Sequence, residues 1–400
     1  MNDKGNPFLD LLKDSKIFKN HEVLSPHYIP EKLLYRDNQI KQVVNALAPA
    51  IKGQKGRNVF IYGKTGTGKT SCILYVLKQL KDLNDPSIAT SYINCRIYSS
   101  KHKVLSKIIK DHMPYYSKRG IGSSEFYERL VSWISDTDKK LIVVLDEIDL
   151  IKDLDDTIYT FTRINSEVRY GSLTIVGIAN KISFKDQLDP RSVSSLYENE
   201  VIFPPYDATE LYEILNERAK EAFKDNVISD ELLRIIAAKA AREGDARYAL
   251  KILEKAAEIA DSANKDKIEQ EDVDKAIKSV EEDLVYDLIE TLPQDEMIIL
   301  YAIALITLSG SYYKKLTDGY DTFVFSGEIY QKYVSLCRSL NRQYKSERWY
   351  RKYISDLSML GLIETFESSK GIRGHTKLVK LNYPSDKVKS ALERVLFSSA

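Results

Sequence analysis

The stretch NVFIYGKTGTGKT, residues 58–70, decides the fold. Its apolar start, up to Tyr62, predicts a buried strand, and the glycine-punctuated turn from Gly63 opens a helical pattern at Lys69. This order of strand, turn and helix is the setting that a phosphate-binding loop requires. The glycines let backbone N–H groups face phosphate oxygens at a helix amino terminus. We expect Lys69 to neutralise β- and γ-phosphate charge and Thr70 to hold Mg²⁺.

A second apolar run, LIVVLDEID at residues 141–149, ends in acids. It predicts a buried strand that brings Asp146 and Glu147 to the carboxyl edge of a sheet, where open α/β folds bind their ligands. Asp146 can orient Mg²⁺ through a water, and Glu147 can polarise the water that attacks a γ-phosphate. Asp149 is interpreted as a helix cap.

Three further polar residues have two interpretations each. Asn180 ends the next apolar run and can hold the attacking water, or it is a turn residue. Arg247 lies in the first turn of a helix started by Asp245 or Gly244, so it can reach a γ-phosphate or be a surface arginine. Arg191 follows a proline turn and is either an arginine finger for a neighbouring subunit or part of an intramolecular ion pair.

The order of elements predicts three domains. Apolar runs alternate with helical patterns up to Pro204 and Pro205, which indicates a parallel sheet covered on both faces. The predicted strands are 58–62, 90–94, 141–145, 174–178 and 201–203, with helices at 69–83, 124–134 and 156–168 between them. We expect an α/β nucleotide-binding domain over residues 1–205.

The rest of the chain reads as helices followed by a hairpin. Helical patterns at 209–222, 229–241, 245–262 and 271–280 predict an all-α lid over residues 206–283. After a change at 282–293, helices at 294–308, 326–340 and 346–360 precede a two-stranded hairpin and a last helix at 385–397. Three helices and a hairpin describe a winged helix-turn-helix over residues 284–400.

Charge is balanced overall but uneven along the chain. Lys and Arg number 59 against 58 Asp and Glu. Residues 332–380 hold eleven bases and four acids, and residues 96–120 hold seven bases and one acid. The acidic stretch 254–283, with eleven acids and five bases, cancels them in the sum. Two basic islands therefore remain available to a polyanion.

Cysteine usage and hydropathy exclude several classes. Cys72, Cys95 and Cys337 are scattered and show no CxxC spacing, so neither a disulfide framework nor a zinc site is indicated. No apolar run approaches the roughly 18 residues that cross a bilayer, and the amino-terminal residues lack the apolar centre of a secretion signal. We expect a soluble, intracellular protein.

The predicted winged helix carries candidate DNA contacts. On helix 346–360, Ile354, Leu357 and Leu360 are expected on the core side. The outward positions are Ser346, Arg348, Arg351 and Lys352. The hairpin adds Lys370, Gly371, Arg373 and Gly374, whose glycines allow close approach to a duplex. The alternative is a protein-docking winged helix with a basic surface.

With these motifs placed, the chain resembles the AAA+ ATPases and, within them, the archaeal origin-recognition/Cdc-type replication initiators. The segment IPEKLLYRDNQI, residues 29–40, is similar to the family's adenine-side motif, and GKTGTGKT and LDEID to its Walker motifs. The segments GIAN, LDPRSVSSL and GDARYAL are similar to sensor 1, the arginine-finger box and sensor 2. The resemblance implies an ATP/ADP site at Tyr35, Arg36, Gly63, Lys64, Thr65, Gly66, Thr67, Gly68, Lys69, Thr70, Ser71, Tyr206 and Arg247.

The resemblance also implies partners. Residues 96–123 match the place and charge of the family's initiator-specific insertion, so Lys118, Arg119 and Gly120 are candidate DNA contacts. The amphipathic part of this interval is alternatively a solvated helix on the sheet. The expected function is an ATP-dependent initiator with slow hydrolysis, which recognises origin DNA, helps recruit the MCM helicase and works beside other initiator paralogues. Two rivals remain open: a signalling-type P-loop ATPase of microbial defence and a clamp-loader-like remodelling ATPase.

Overall fold

The structure is a computed structural model. It describes residues 15–26, 28–54, 56–116, 120–180, 188–190, 192, 199–310, 313–314, 322–367 and 377–397. The chain divides into two compact units, Met1–Ala276 and Ile277–Ala400. Within the part of the chain that the structure describes, no helix combines the length and hydropathy that a bilayer crossing requires.

A five-stranded parallel sheet forms the centre of the first unit. Its strands are β1 (Val59–Tyr62), β2 (Ile88–Asn94), β3 (Lys140–Asp146), β4 (Ser172–Ala179) and β5 (Asn199–Ile202). Their order across the sheet is β2-β3-β4-β1-β5. The central strands β1, β3 and β4 are buried along their whole length, as expected for a sheet covered on both faces. The five predicted strands are confirmed, with ends shifted by a few residues.

Helices cover the two faces of this sheet. The first unit begins with α1 (Asp37–Ile51), α2 (Lys69–Asp82), α3 (Lys101–His112), α4 (Ser123–Thr137) and α5 (Leu154–Glu167). Apolar residues of α1 and α2 form one buried cluster with Val59 and Ile61. Residues of α3, α4 and α5 form another with Phe60 and Tyr62. The alternation along β1 is the two-residue period of a strand.

An all-helical region completes the first unit. Its helices are α6 (Ala208–Ala222), α7 (Asp230–Ala240), α8 (Ala246–Ser262) and the start of α9 (Gln270–Glu290). Residues 15–24 contact this region. Phe18 bridges Phe223, and the backbone N–H groups of Lys19 and Asn20 donate to the Ala222 carbonyl. The segment ends in a 3₁₀ helix, His21–Leu24, with Val23 and Leu24 buried.

The second unit is a helical bundle with a small antiparallel sheet. It contains α10 (Gln294–Leu308), α11 (Ser326–Ser339), α12 (Glu347–Met359) and α13 (Ser385–Phe397). Its strands are β6 (Tyr313–Lys314), β7 (Thr322–Phe325), β8 (Ile363–Glu367) and β9 (Lys377–Leu381), in the order β6-β7-β9-β8. Helix α10 lies at the centre of the bundle, with eight of its apolar residues in the buried cluster: Met297, Ile298, Ile299, Leu300, Ala302, Ile303, Ala304 and Ile306.

Three predictions about this unit were wrong. The helix predicted to stop at residue 280 continues as α9 to Glu290, because Val285 and Ile289 extend its apolar stripe into the buried cluster. The predicted two-stranded hairpin is half of a four-stranded sheet, since β7 pairs with β9. Leu360, expected in the core, lies at the exposed end of α12.

Candidate functional site

The loop between β1 and α2 has the backbone geometry of an anion site. Gly66 and Gly68 have φ values of 73° and 86°, in the left-handed region that side chains rarely adopt. A Cβ at Gly66 would lie 1.8 Å from the Asp245 side chain, and one at Gly68 would lie 2.7 Å from the Tyr206 hydroxyl. Both positions therefore require glycine. The loop delivers Lys69 and Thr70 to the first turn of α2.

Lys69 is folded back against this loop. Its Nζ donates to the carbonyl oxygens of Gly63 and Lys64, each at 2.7 Å. The side chain is almost fully buried. Burial first, and the nearby charge of Arg247 second, lower the pKa of Lys69 to about 8. The loop thus holds the Lys69 amine against two of its own carbonyl oxygens, at the start of α2, where a helix amino terminus favours a bound phosphate.

Asp146 ends β3 beside Thr70. The Thr70 hydroxyl donates to Asp146 Oδ2 at 2.9 Å, and the Tyr92 hydroxyl donates to the same oxygen at 2.6 Å. The backbone N–H of Glu147 donates to Oδ1 at 3.0 Å. A hydroxyl that donates its proton to a carboxylate still offers its lone pairs to a cation. Thr70 and Asp146 are hard oxygen ligands of the kind that Mg²⁺ prefers, so the pair fits this ion.

Glu147 lies at the turn after β3, with a left-handed φ of 55°. Its carboxylate accepts two hydrogen bonds from Arg96, from Nε at 3.0 Å and from Nη2 at 3.3 Å. The Arg96 side chain is 71% exposed, so solvent screens this ion pair. Sequence reasoning placed Arg96 only in a basic island. The signal that could have located it is its position just past the strand that pairs with β3.

The helical region contributes Arg247 to the same cavity. Asp245 caps α8 by accepting from the backbone N–H groups of Arg247 and Tyr248, and the Ala246 N–H donates to the Gly66 carbonyl at 3.1 Å. The start of α8 is thereby joined to the phosphate-binding loop. A cavity of about 550 Å³ brings together nearly all of the predicted catalytic residues: Lys69, Asp146, Glu147, Asn180 and Arg247.

An adjoining cavity lies between the loop and the helical region. Tyr206 lines it together with Gly66, Gly68, Ser71 and Arg247. Leu24, Pro26 and Tyr28, which precede the motif at residues 29–40, also line this cavity. Leu24 is buried together with Val23 at the end of the 3₁₀ helix, so two adjacent apolar residues are the local signal for that contact.

Arg36 supports the loop from behind. Its guanidinium donates to the carbonyl oxygens of Thr67, Tyr35 and Pro204 at 2.8–3.0 Å and lies 3.6 Å from the ring centroid of Tyr206. The side chain is 1% exposed, and burial lowers its pKa. Its N–H groups donate to protein carbonyl oxygens, so Arg36 stabilises the conformation of the phosphate-binding loop. Tyr35, with φ 58°, is half-exposed, and a hydrogen bond with Glu213 raises its pKa to about 12.

Those candidate DNA residues of the second unit that the structure describes lie on one exposed helix surface. Ser346 precedes α12, and Arg348, Arg351 and Lys352 are exposed on it, while Tyr350, Ile354 and Leu357 are buried. Trp349 is 49% exposed on the same surface, with Lys352 Nζ 5.2 Å from its ring centroid. Sequence reasoning did not single out this indole.

Several predicted site residues lie outside the described part of the chain. They are Lys118, Arg119, Arg191, Lys370, Gly371, Arg373 and Gly374. Gly120 is described, with φ 84°, and apart from Gly120 itself and its chain neighbours no atom of the described residues lies within 4 Å of where its Cβ would be. The hairpin is therefore represented by its strands, β8 and β9, which pair from Ile363 with Leu381 to Glu367 with Lys377.

This combination of a phosphate-binding loop, an acidic strand end and an arginine from a helical lid defines the AAA+ class of P-loop ATPases. A family model of the AAA ATPase domain matches residues 32–163. The Cdc6 AAA+ ATPase-type lid domain matches residues 212–278, and the CDC6 C-terminal winged helix domain matches residues 287–391.

Relatives that match nearly the whole chain identify the family within the AAA+ class. The chain is 38% identical over 393 residues to ORC1-type DNA replication protein 1 of Archaeoglobus fulgidus, covering 97% of this chain and 93% of the relative. It is 39% identical to the ORC1-type DNA replication protein of Thermococcus onnurineus, covering 96% and 92%. The chain belongs to the ORC1-type DNA replication proteins, a family of replication initiators, and the predicted family and fold class are confirmed.

A solved structure agrees with this assignment. The Aeropyrum pernix ORC1 protein, whose structure was determined in complex with DNA, is 35% identical to this chain. The match has a TM-score of 0.80 and covers 97% of this chain and 99% of the other. The AAA+ base, the helical lid and the winged helix therefore follow the same order in both proteins.

Proposed function

We propose that this chain is an ATP-dependent initiator that binds origin DNA and helps recruit the MCM replicative helicase, alone or beside other initiator paralogues. The observation that carries the proposal is the convergence of Lys69, the Thr70–Asp146 pair and Arg247 in one cavity, in a chain that also exposes a cationic helix. A DNA-binding role would place the protein on the nucleoid.

We propose domain boundaries at 1–205 for the AAA+ base, 206–283 for the lid and 284–400 for the winged helix. Each of the three matched family models falls inside one of these ranges, at 32–163, 212–278 and 287–391. The base and residues 206–276 of the lid share the first compact unit, and the hydrogen bond from Ala246 to Gly66 joins them. The proposed boundary at 283 lies within α9, which continues from the lid into the second unit.

In the proposed mechanism, the loop N–H groups and Lys69 bind the phosphates of ATP or ADP. Thr70 and Asp146 would hold Mg²⁺, which when bound neutralises charge on the β- and γ-phosphates. Glu147 accepts a proton from the attacking water, and Asn180 orients that water. Arg247 contacts the γ-phosphate from the lid, and this contact is lost after hydrolysis. Because the Arg247 contact is made with ATP and not with ADP, the bound nucleotide can bias the position of the lid. Hydrolysis is slow, so the nucleotide acts as a switch.

The depressed pKa of Lys69 predicts a pH dependence of nucleotide binding. Phosphate binds the protonated amine, and in the free protein Lys69 loses its proton above a pKa of about 8. Above the range in which the terminal phosphate of ADP titrates, with a pKa of about 6, affinity should be constant up to the pKa of Lys69. It should fall as pH rises through that value, by at most about tenfold per unit. Calorimetry with ADP at successive pH values measures the effect.

A matched variant identifies the titrating group. Lys69→Arg keeps its charge throughout this range, because guanidinium pKa values lie above about 12. Its affinity, whatever its level, should be flat with pH. An equal slope in wild type and variant would assign the titration to another group.

For DNA binding, we propose the exposed surface of α12 as the recognition helix and the β8–β9 hairpin as the wing. Arg348 and Arg351 lie one turn apart on this helix, and arginine can donate two hydrogen bonds to guanine. Among the described residues, Arg351 pairs with the Glu347 carboxylate at 3.5 Å, and solvent-exposed pairs of this kind exchange readily. Phosphates can therefore displace it at little cost.

Arg348→Ala should weaken DNA binding by about 1–3 kcal/mol if the guanidinium contacts a base. Fluorescence anisotropy on an origin fragment and on random duplex, at several salt concentrations, measures the change. A base contact lowers affinity for the origin fragment more than for random duplex, whereas a phosphate contact lowers both and reduces the salt slope by roughly 0.9. Arg394→Ala, an exposed arginine on α13, is the control and should bind like wild type. Unchanged affinity of Arg348→Ala would exclude it from the interface.

Footprinting on genomic fragments, with and without ATP, tests the whole proposal. Protected, sequence-restricted repeats support an origin-binding initiator. Sequence-blind or absent protection would contradict origin recognition by this chain. Normal ATPase activity in an Arg191→Ala variant would contradict the interpretation of Arg191 as an arginine finger between subunits.

A further inference from the structure

We propose that Tyr92 is a positioning residue that fixes the Asp146 carboxylate for Mg²⁺-dependent nucleotide binding. This inference rests on the proposed nucleotide site and assigns a role to a residue that no motif marks. Its hydroxyl donates to Asp146 Oδ2 at 2.6 Å, the shorter of the two hydroxyl hydrogen bonds to that oxygen.

Strand pairing explains how Tyr92 reaches Asp146. In the parallel pair of β2 and β3, Asn94 lies opposite Asp146 and Tyr92 opposite Val144. Side chains two residues apart on a strand share a face, so Tyr92 is the diagonal neighbour of Asp146 on that face. A tyrosine is long enough to cover this diagonal, and its ring packs against the buried cluster of α1, α2 and the sheet.

The hydrogen bonds to the Asp146 carboxylate occupy most of its lone-pair positions. A carboxylate offers about four lone-pair positions. The hydroxyls of Thr70 and Tyr92 occupy Oδ2, and the Glu147 N–H occupies one position on Oδ1. Among the described residues, no further donor reaches Oδ1, and its second position remains for a water molecule of a hydrated cation. Without Tyr92, a position on Oδ2 opens, and the hydrogen bonds from Thr70 and the Glu147 N–H are left to restrain rotation of the carboxylate about its last bond.

Tyr92 is a donor under all ordinary conditions. Burial first, then its hydrogen bond with Asp146, raise its pKa above the usual range for tyrosine. The hydroxyl therefore keeps its proton at neutral pH and cannot itself be an anionic metal ligand. Its role is exerted through Asp146. Partners of this kind typically change metal affinity by roughly 10–100-fold when they are removed.

Tyr92→Phe tests the inference, because it removes the hydroxyl and keeps the ring. Calorimetric binding of a non-hydrolysable ATP analogue is measured at increasing Mg²⁺. We expect the affinity without Mg²⁺ to stay within about twofold of wild type, and the Mg²⁺ concentration for half-maximal effect to rise roughly tenfold. Electron paramagnetic resonance of Mn²⁺ with the same analogue gives a direct count of bound metal.

A matched control separates this effect from general damage. Tyr301 also donates its hydroxyl to a carboxylate, that of Glu393 at 2.9 Å, in the second unit. Tyr301→Phe should show wild-type Mg²⁺ dependence. If Tyr92→Phe also shows wild-type Mg²⁺ dependence, the inference is wrong while the nucleotide site stands. If wild-type protein binds no nucleotide, the proposed function fails first.

A double-mutant cycle decides whether Tyr92 acts through Asp146. In an Asp146→Ala background, the acceptor that Tyr92 orients is gone, so Tyr92→Phe should cause no further loss of Mg²⁺ dependence. An undiminished loss in that background would show that Tyr92 acts by another route and would overturn the inference.

Discussion

Lys69→Ala is expected to abolish nucleotide binding. The loop holds the amine of Lys69 by hydrogen bonds of 2.7 Å to the Gly63 and Lys64 carbonyl oxygens. A triphosphate brings several negative charges into a site with little solvent, where an unpaired charge is costly. Removal of the amine leaves β- and γ-phosphate charge facing loop carbonyls instead of a cation. We expect affinity for ATP and ADP to fall at least about 100-fold, which corresponds to roughly 2.7 kcal/mol.

The experiment needs a control for the loss of a lysine from α2. Lys78 lies on the same helix and is exposed, so Lys78→Ala changes the same net charge without touching the loop. Calorimetry with ADP should give wild-type affinity for Lys78→Ala and no detectable binding for Lys69→Ala. Circular dichroism checks that both variants are folded. Retained binding by a folded Lys69→Ala protein would remove the loop from the proposed site.

The residues that sequence reasoning found are those whose signal is local. The glycines of the loop at 63–70 predict that loop, and the apolar run that ends in Asp146 predicts the position of that residue. Tyr92 and Arg96 carry no such signal. They meet Asp146 and Glu147 because β2 is the neighbour of β3 in the sheet, and strand order is a property of the whole domain.

The same distinction explains the errors in the second unit. The helix α9 was ended too early because acids at 281–283 interrupt its apolar pattern, although Val285 and Ile289 resume it. Strand β7 is only four residues long, Thr322–Phe325, and is recognisable through its pairing with β9. Long-range packing decides both features, and a local pattern does not contain it.

Glu147→Gln is expected to separate nucleotide binding from hydrolysis. Glutamine has nearly the shape of glutamate but cannot accept a proton from the attacking water. Removing a general base lowers rates by roughly 10²–10⁴-fold. The phosphate-binding loop, Lys69 and the Thr70–Asp146 pair are unchanged in this variant, so ATP affinity should stay within about threefold of wild type, a difference below 1 kcal/mol.

The ion pair with Arg96 does not account for a loss of that size. Because Arg96 is 71% exposed, the pair is worth at most about 1 kcal/mol, a factor of roughly 5 in rate. Glu147 can therefore leave Arg96 to reach a water at small cost, and weakening the pair in Glu147→Gln would if anything ease that motion. The expected loss of hydrolysis rate is much larger than this factor and opposite in direction to the effect of a weakened ion pair. It therefore measures the absence of the proton acceptor.

Single-turnover hydrolysis of pre-bound ATP measures the chemical step without nucleotide exchange. Glu243→Gln is the matched control. Glu243 pairs with Lys64 of the loop, and its side chain is 74% exposed. The Glu243→Gln variant should hydrolyse ATP like wild type. In Glu147→Gln, bound ATP should persist while the control converts it to ADP and phosphate. Phosphate release from Glu147→Gln at the control rate would show that hydrolysis does not need this carboxylate. The proton acceptor would then be another residue of the cavity.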